Sequence, residues 1–397
     1  MRCSSIAVVP RALLPLIVVC GSACSAAQPP APVEIGEPVA GLTAAERARF
    51  DAGLALFGRV FTPEDGLGPL FNENQCSACH TFPASGGTGE QFAVRMTRFD
   101  PPDRCDMLPL EGGENVQSNA TPLLRARGVT RRPPPKNATE TDRMTVPFLF
   151  GLGLIELIPE STLLGRADPD DRDRDGISGR AGRDAAGAFA RFGRKAEHAT
   201  IRSFTEGALL LEMGLTSPGR PEEALLDGQP FNAEVDPVQD PEVDSVVVNR
   251  LVDFIRFLAP PVQRPARNAT EAALLRRGER LFDEIGCTAC HVPELRTGAS
   301  DVRALDRKPI RLYSDLLLHD MGAEREGACG IGASPGEYRT EPLMGLRFRR
   351  IYLHDGRTRD LFGVIRQHGG EGSAARAGFE NLDRVAQEAV IQFLRSL

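Results

Sequence analysis

The stretch Cys76-Ser77-Ala78-Cys79-His80 occurs a second time in the chain, in the form Cys287-Thr288-Ala289-Cys290-His291. Two thiols one helical turn apart reach both vinyl groups of a haem, and the adjacent histidine then lies beneath the iron as its proximal ligand. A zinc site needs further Cys/His pairs, and a redox dithiol of the thioredoxin kind needs a βαβ context. Neither pattern accompanies these motifs. The sequence therefore predicts two covalently bound haem c groups.

Both motifs stand in similar surroundings. Each follows a segment with apolar residues at helical spacing, which reaches Phe57 in the first half and Phe282 in the second. The first of these segments begins with a capping box, Thr43–Glu46. Residues 246–258 and 385–397 close the two halves with the same amphipathic pattern. An opening helix, a haem-binding turn and a closing helix form the unit of a cytochrome c domain, so we predict a mainly α fold with two such domains.

The proline-rich run 260–265 is a natural linker between the halves. We therefore predict an N-terminal haem domain over residues 43–260, a linker over 261–269 and a C-terminal haem domain over 270–397. The first domain is the longer one, and its additional length is rich in loops. Residues 92–99 alternate in polarity and indicate one short strand there.

The chain begins with the features of a secretory leader. A positive start, a short apolar run and a region of small residues predict a signal peptide over residues 1–27. Cys24 is an alternative end of the leader, where it would carry a lipid anchor. Residues 28–42 are rich in proline and predict an extended tether. The protein is thus expected to be periplasmic or secreted, free or lipid-anchored at Cys24. A net charge of −7 argues against a nucleic-acid partner.

Two of the nine cysteines belong neither to the leader nor to the haem motifs. In an oxidising compartment, two such thiols more often form a disulfide than remain reduced. We therefore predict a bond between Cys105 and Cys329 that joins the two halves.

Several segments of the second half resemble known proteins. Residues 340–346 (Thr-Glu-Pro-Leu-Met-Gly-Leu), residues 352–356 (Tyr-Leu-His-Asp-Gly) and the later His368 resemble the carboxy-terminal domain of diheme cytochrome c peroxidases and of methylamine-dehydrogenase-maturing enzymes. Residues 313–322 and the ending 368–371 (His-Gly-Gly-Glu) are more similar to the di-haem oxidoreductase family, whose members are described as peroxidases or as thiol oxidoreductase-like. The resemblance covers nearly the whole mature chain.

The resemblance implies an oxidoreductase that takes electrons from a redox partner such as a small cytochrome and reduces a small oxidant such as H₂O₂ at the first haem. The alternative is an electron-transfer cytochrome in which both haems have six ligands and no peroxide is reduced. The chain contains no Trp, whereas the resembled enzymes use one between their haems. Arg194 or Phe192 falls near that place.

At the second haem, the resemblance implies His368 as the sixth ligand of the iron, opposite His291. Met344 and Met321 are alternatives. His354 is expected to be structural, with a hydrogen bond beside a turn or a haem propionate. His319 is expected to be structural or near a propionate.

At the first haem, Phe204 stands where the resembled peroxidases have Gln, and Glu212 is the candidate catalytic carboxylate. Candidates for a sixth ligand are Met213 and His198, with Met96 behind them. The remaining alternative is an open coordination position, which would permit peroxide chemistry.

A calcium loop is predicted from Asp171, Asp173 and Asp175, which alternate along the chain before a glycine. Oxygens at these loop positions converge on a Ca²⁺ ion, and glycine permits the sharp turn. Gly182 stands where such a loop normally has its last ligand, Glu. The alternative is a solvated acidic turn whose intervening arginines balance the charge.

Overall fold

The computed structural model describes residues 34–397, except for the side chain of Arg325. The predicted signal peptide and the candidate lipid-anchor site lie outside the described residues. Helical residues amount to 32% and strand residues to 14%, so helices predominate as predicted. No helix within residues 34–397 is both long and apolar enough to cross a lipid bilayer.

The α-helices of residues 34–397 are, in chain order, α1 Ala44–Phe57, α2 Cys76–Cys79, α3 Pro122–Ala126, α4 Leu152–Glu156, α5 Glu160–Leu164, α6 Ile201–Met213, α7 Ser245–Phe257, α8 Ala269–Glu284, α9 Leu361–Arg366, α10 Ser373–Glu380 and α11 Arg384–Leu394. Side chains cap the long helices at their first turns. Thr43 and Glu46 form the predicted capping box of α1, and Asn268 accepts a hydrogen bond from the backbone of Glu271 at the start of α8.

The strands of the same residues are short, and they are β1 Leu70–Phe71, β2 Phe92–Asp100, β3 Arg104–Asp106, β4 Asn119–Ala120, β5 Glu140–Thr145, β6 Gly182–Arg183, β7 Phe189–Ala190, β8 Leu295–Arg296, β9 Pro309–Ile310, β10 Leu318–Asp320 and β11 Glu337–Arg339. The predicted strand over 92–99 is β2. It lies at the centre of an antiparallel three-stranded sheet in the order β3-β2-β5, so this region contains more β structure than the sequence indicated.

The opening and closing helices of the first half, α1 and α7, pack on each other. At their crossing, α1 presents Gly53, where a Cβ atom would overlap the carbonyl oxygen of Arg250 and the side chain of Phe254. One turn later, the ring of Phe57 lies 4.7 Å from that of Phe254, centroid to centroid. The absent side chain of Gly53 therefore lets the two helices approach closely.

The second half repeats this arrangement with α8 and α11. Gly278 lies at the crossing, where a Cβ atom would overlap the carbonyl oxygen of Ala389 and approach Phe393. Phe282, again four residues later, lies 5.6 Å from Phe393. The two halves thus share a glycine, a phenylalanine and a partner ring at equivalent places.

Replacing Gly278 by Ala is expected to destabilise the protein by about 1–3 kcal/mol, because the added methyl must push α8 away from α11. Chemical denaturation with a helix signal measures this change. Gly58→Ala is the matched control, since a Cβ at that exposed helix end meets nothing closer than 3.8 Å. Equal stability of Gly278→Ala and the wild type would contradict the close packing described here.

The two predicted domains contribute to one hydrophobic cluster. Phe254 and Leu209 of the first half belong to the same buried cluster as Leu305, Leu312 and Leu317 of the second. A smaller cluster surrounds α8 and α11. This shared cluster contains residues from both sides of the predicted linker over residues 261–269. The division into two separate domains therefore remains a prediction.

The end of the predicted tether over 28–42 is part of the fold. Pro38 forms an antiparallel bridge with Leu258, and the amide of Val39 donates to the carbonyl of Phe257 at 2.8 Å. Val39 is buried. The structure therefore differs from the expectation of an extended tether at this point, since these residues bond to the end of α7.

Cys105 and Cys329 form a disulfide across 224 residues of sequence, which confirms the predicted pairing. Cys105 lies on β3, at the edge of the three-stranded sheet. The amide of Cys329 donates to Thr97 on β2 at 3.0 Å. The disulfide therefore joins the sheet of the first half to the second half.

Candidate functional site

The second CxxCH motif follows α8 directly and forms a single 3-10 turn, Cys287–Ala289. His291 Nδ1 lies 3.0 Å from the carbonyl oxygen of Tyr313, a contact that orients its ring. Burial, together with the neighbouring His368, lowers the pKa of His291 to about 4. The imidazole is therefore neutral, which is the form that binds a metal.

His368 lies across from His291. Their ring centroids are 6.5 Å apart, and His368 Nδ1 contacts the carbonyl oxygen of Val364, in α9, at 2.9 Å. Metal-ligating histidines usually fix their second nitrogen in this way. Two imidazoles bound to one metal through bonds of about 2 Å would have a similar ring separation. The structure thus brings together the two residues predicted as axial ligands of the second haem.

The alternative ligands lie elsewhere or beside His368. Met344 is buried and lines a small cavity with Phe148 and Phe192, away from the His291 ring contacts. The Met321 methyl group and His368 both lie against Gly372. Met321 is therefore a neighbour of His368, and it remains an alternative.

His319 lies beside the second motif between two carboxylates. Its Nε2 contacts Asp315 at 2.9 Å, its Nδ1 contacts Glu371 at 2.6 Å, and Cys290 Sγ lies 3.7 Å away. Burial alone lowers the pKa of His319, but these hydrogen bonds outweigh it and raise the pKa to about 12. His319 is therefore a buried imidazolium that ties Glu371, three residues after His368, to the haem-attachment turn.

The first motif forms the short helix α2, and its histidine lines a large cavity. His80 Nδ1 lies 3.0 Å from the carbonyl oxygen of Gly87, and burial lowers the pKa of His80 to about 4. The Phe57 ring of α1 lies 6.0 Å from the His80 ring, just as Phe282 lies 6.1 Å from His291. The cavity has a volume of about 450 Å³ and is lined by parts of α1, α2, β2, α6 and α7.

Glu212, near the end of α6, lines this cavity. Asn72 donates to its Oε2 at 2.6 Å and Asn115 donates to its Oε1 at 2.8 Å, so both carboxylate oxygens are fixed. Burial raises the pKa of Glu212, although the two amides oppose that effect. The carboxyl group therefore holds a proton more readily than an exposed glutamate, as a group that exchanges protons near neutral pH should.

Two of the other candidates for the first haem also line the cavity. Met213 is buried at the end of α6, and His198 packs on the same helix at Gly207. Burial lowers the pKa of His198 to about 4. Met96 follows the cavity-lining Arg95 on β2 and so points to the opposite face of the strand. The cavity therefore brings Glu212, Met213 and His198 together, while Met96 lies outside its lining.

The cavity lining fits a haem with its two carboxylates. Arg95 and Arg194 line it, and the Nε atom of each is buried without a partner. Three guanidinium groups contact the one carboxylate of Glu341, from Arg194 at 3.2 Å and from two further residues, Arg339 at 2.8 Å and Arg349 at 2.6 Å. The carboxylates of Glu114 and Glu197 balance Arg95, at 2.6 Å and 2.7 Å. The three guanidinium groups around Glu341 outnumber their one carboxylate, so an anion such as a haem propionate would be stabilised there.

The four motif cysteines are poor nucleophiles as thiols. Burial raises the pKa of Cys76, Cys79 and Cys287 to about 12, and it also raises that of Cys290. A reactive thiol needs the opposite shift. These thiols therefore do not support the thiol chemistry suggested by the label thiol oxidoreductase-like.

The carboxylates of Asp171, Asp173 and Asp175 lie within 4.8 Å of one another, as the predicted calcium loop requires. The loop also reaches the second haem region, because Ser178 donates to Glu371 at 2.6 Å. Calcium binding itself remains a prediction.

Sequence reasoning missed the partners that hold these groups. Asn72 and Asn115 lie far along the chain from Glu212, which they contact. Glu341 lies in a loop, and one of its three arginine partners, Arg194, comes from the first half. The sequence contained one indication of the role of His319. Asp315 directly precedes the apolar run Leu316–Leu318, and a carboxylate buried beside such a run needs a partner of opposite charge, which His319 supplies.

Two haem-type sites of this kind define a di-haem oxidoreductase. Residues 128–397 match the model of the family described as "Di-haem oxidoreductase, putative peroxidase", and the chain belongs to that family. No curated protein matches the sequence.

Solved structures with some similarity include a hydrazine synthase of Kuenenia stuttgartiensis, with 14% identity, TM-score 0.38 and coverage of 98% of this chain and 100% of that one. The diheme peroxidase BthA of Burkholderia thailandensis has 14% identity, TM-score 0.39 and coverage of 88% and 86%. A MauG-like protein associated with microbial copper homeostasis has 15% identity, TM-score 0.32 and coverage of 63% and 89%. At these scores, none of the similarities supports an argument about this chain.

Proposed function

We propose that the protein is a periplasmic di-haem c-type oxidoreductase in which electrons enter at the second haem and reduce H₂O₂ at the first. The difference between the two haem sites supports this proposal. The ring centroids of His291 and His368 are 6.5 Å apart. His80, in contrast, lines a cavity of about 450 Å³, which is also lined by the buried carboxyl group of Glu212. A closed site suits electron transfer and an open one suits peroxide chemistry.

Each H₂O₂ takes up two electrons and two protons and gives two molecules of water. A haem held at the first site would supply the two electrons. Glu212 takes a proton from one peroxide oxygen and returns it to the oxygen that leaves as water. Asn72 and Asn115 hold the carboxylate in place, and the cationic residues around Glu341 would hold the haem propionates.

The rival proposal is an electron-transfer cytochrome in which Met213 or His198 closes the first haem. EPR of the ferric protein decides between them, because it distinguishes high-spin from low-spin haem. A peroxidase requires one haem that is high-spin in the ferric protein or that binds CO after reduction. It must also turn over H₂O₂ with a reduced cytochrome as electron donor. Two low-spin haems that stay closed on reduction would support the rival.

His368→Met is expected to keep six ligands at the second haem and to raise its reduction potential by on the order of 0.1 V, since axial ligands set haem potentials over a range of roughly 0.8 V. Redox titration monitored by absorbance measures the change. Met321→Leu and Met344→Leu are the controls. A shift in either control, with none in His368→Met, would assign the ligand to that methionine instead.

The repeated helix pairs support two cytochrome c-like units within the one compact body. In each unit two helices cross at a glycine, and a phenylalanine four residues later lies about 6 Å from the ring of the histidine in the CxxCH motif. The remaining parts of the proposal are a small cytochrome as redox partner, export through the leader and a Ca²⁺ ion in the loop 171–175. Calcium titration by calorimetry tests the last of these.

A further inference from the structure

The Tyr338 side chain lies in a cluster of partly and fully buried groups that the proposed reaction does not use. Its hydroxyl donates to Asp142 Oδ2 at 3.3 Å. The hydroxyl oxygen also lies 3.2 Å from His354 Nε2. The Tyr338 and His354 rings stack with centroids 4.2 Å apart and planes 15° apart. Asp142 and His354 are 6% and 8% exposed, so the phenol faces two basic groups that bulk water hardly reaches.

Lys195 completes the surroundings of the ring. Its Nζ lies 3.6 Å from the Tyr338 ring centroid and donates to three backbone carbonyl oxygens, those of Ser334, Pro335 and Glu337. Burial lowers the pKa of Lys195 to about 7, and in its protonated form the amine opposes positive charge on the ring. Removing an electron from Tyr338 therefore requires the phenolic proton to leave as well, and the Asp142 carboxylate already accepts a hydrogen bond from it.

The chain keeps space for this contact. A Cβ atom at Gly327 would overlap both the Asp142 carboxylate and the Tyr338 hydroxyl. The glycine at this position thus permits the close approach of phenol and carboxylate.

Tyr338 also lies between the two haem regions. It is paired in register with His319 across β10 and β11, and His319 contacts Cys290 of the second motif. Asp142, which accepts the hydrogen bond from the Tyr338 hydroxyl, is paired in register with Arg95 across β2 and β5, and Arg95 lines the first cavity.

We propose that Tyr338 is a redox-active residue that relays electrons from the second haem to the first. The proposal rests on the proposed function, since the oxidant is the first haem site after its reaction with peroxide. In each transfer, Tyr338 gives one electron to the first site and its phenolic proton to Asp142, and becomes a neutral radical. It then takes one electron from the second site and recovers the proton. Two such transfers supply the electrons for one H₂O₂.

Tyr338→Phe tests the relay, because it removes the hydroxyl and keeps the ring that stacks on His354. The di-haem protein is mixed with one equivalent of H₂O₂ and frozen rapidly for EPR. We expect a tyrosyl radical in the wild type and in the control Tyr352→Phe, and none in Tyr338→Phe. Stopped-flow absorbance should show oxidation of the second haem slowed at least about tenfold in Tyr338→Phe and in Asp142→Asn. Deuterated water should slow this step in the wild type and in Tyr352→Phe, but not in Tyr338→Phe.

A wild type that consumes peroxide without a radical, or an unchanged radical and rate in Tyr338→Phe, would overturn the relay and leave the proposed function intact. If the wild type does not consume peroxide, the proposed function fails instead. The oxidant is then supplied photochemically by tris(bipyridine)ruthenium with persulfate. A radical that forms in the wild type and is lost in Tyr338→Phe supports the relay, and equal radical yields overturn it.

Discussion

Glu212→Gln is expected to lower the turnover of H₂O₂ by about 10²–10⁴-fold, the usual contribution of a general acid–base group. Glutamine has the same size and can accept a hydrogen bond from one of the two asparagines through its single carbonyl oxygen, but it cannot take a proton from peroxide. Steady-state turnover with a reduced cytochrome donor measures the loss. The reduction potentials of both haems should change little, because Glu212 acts on protons.

The pH dependence of turnover provides a second measure of Glu212. Because burial raises its pKa, the wild-type rate should rise with pH through a value above the ordinary 4.5 of a glutamate, as the carboxylate becomes available as a base. Glu212→Gln should lose this acid limb. Glu206→Gln is the matched control, since Glu206 is a buried carboxylate on the same helix and does not line the cavity. A normal rate in Glu212→Gln would remove the carboxylate from the mechanism.

The helices and motifs were predictable because their signals are local and periodic. The capping box at Thr43, the apolar spacing up to Phe57 and Phe282, and the two CxxCH motifs each lie within one or two helical turns. The disulfide between Cys105 and Cys329 followed from elimination, since no other unassigned cysteine was present.

The contacts that complete the sites were not predictable, because loop residues meet over long distances without a periodic pattern. Asn72 and Asn115 reach Glu212 across 140 and 97 residues. His319 was expected to be structural or near a propionate, and its contacts with two carboxylates were not predicted. Glu371 lies 52 residues from it, in a segment noted only for its resemblance to a family.

His319→Gln is expected to destabilise the protein by about 3–5 kcal/mol, because it leaves the carboxylates of Asp315 and Glu371 buried without a cation. The side chains concerned are 4%, 3% and 12% exposed, so solvent screens the pair little. The second haem should also lose part of its low-spin signal, since Glu371 would no longer fix the turn after His368. Chemical denaturation and EPR measure the two effects.

The pH dependence of this destabilisation identifies its cause. The pKa of His319 is raised to about 12, so its contribution is complete below about 6.5 and is lost as pH rises towards 12. Burial raises the pKa of Glu371, but hydrogen bonds from His319 and Ser178 bring it down to about 2, so its contribution is complete above about 4.5 and is lost as pH falls towards 2. The cost of His319→Gln should therefore be largest between about 4.5 and 6.5 and decrease on both sides.

The matched control for His319→Gln is Arg47→Gln. Arg47 also lies between two carboxylates, those of Glu37 and Asp51, but all three side chains are about half exposed. Solvent screens such a pair, so its loss should change stability little at any pH. The stabilisation from an ion pair is lost when either partner loses its charge, so it depends on pH. If the destabilisation by His319→Gln does not vary with pH, its cause is lost packing and not the lost ion pairs.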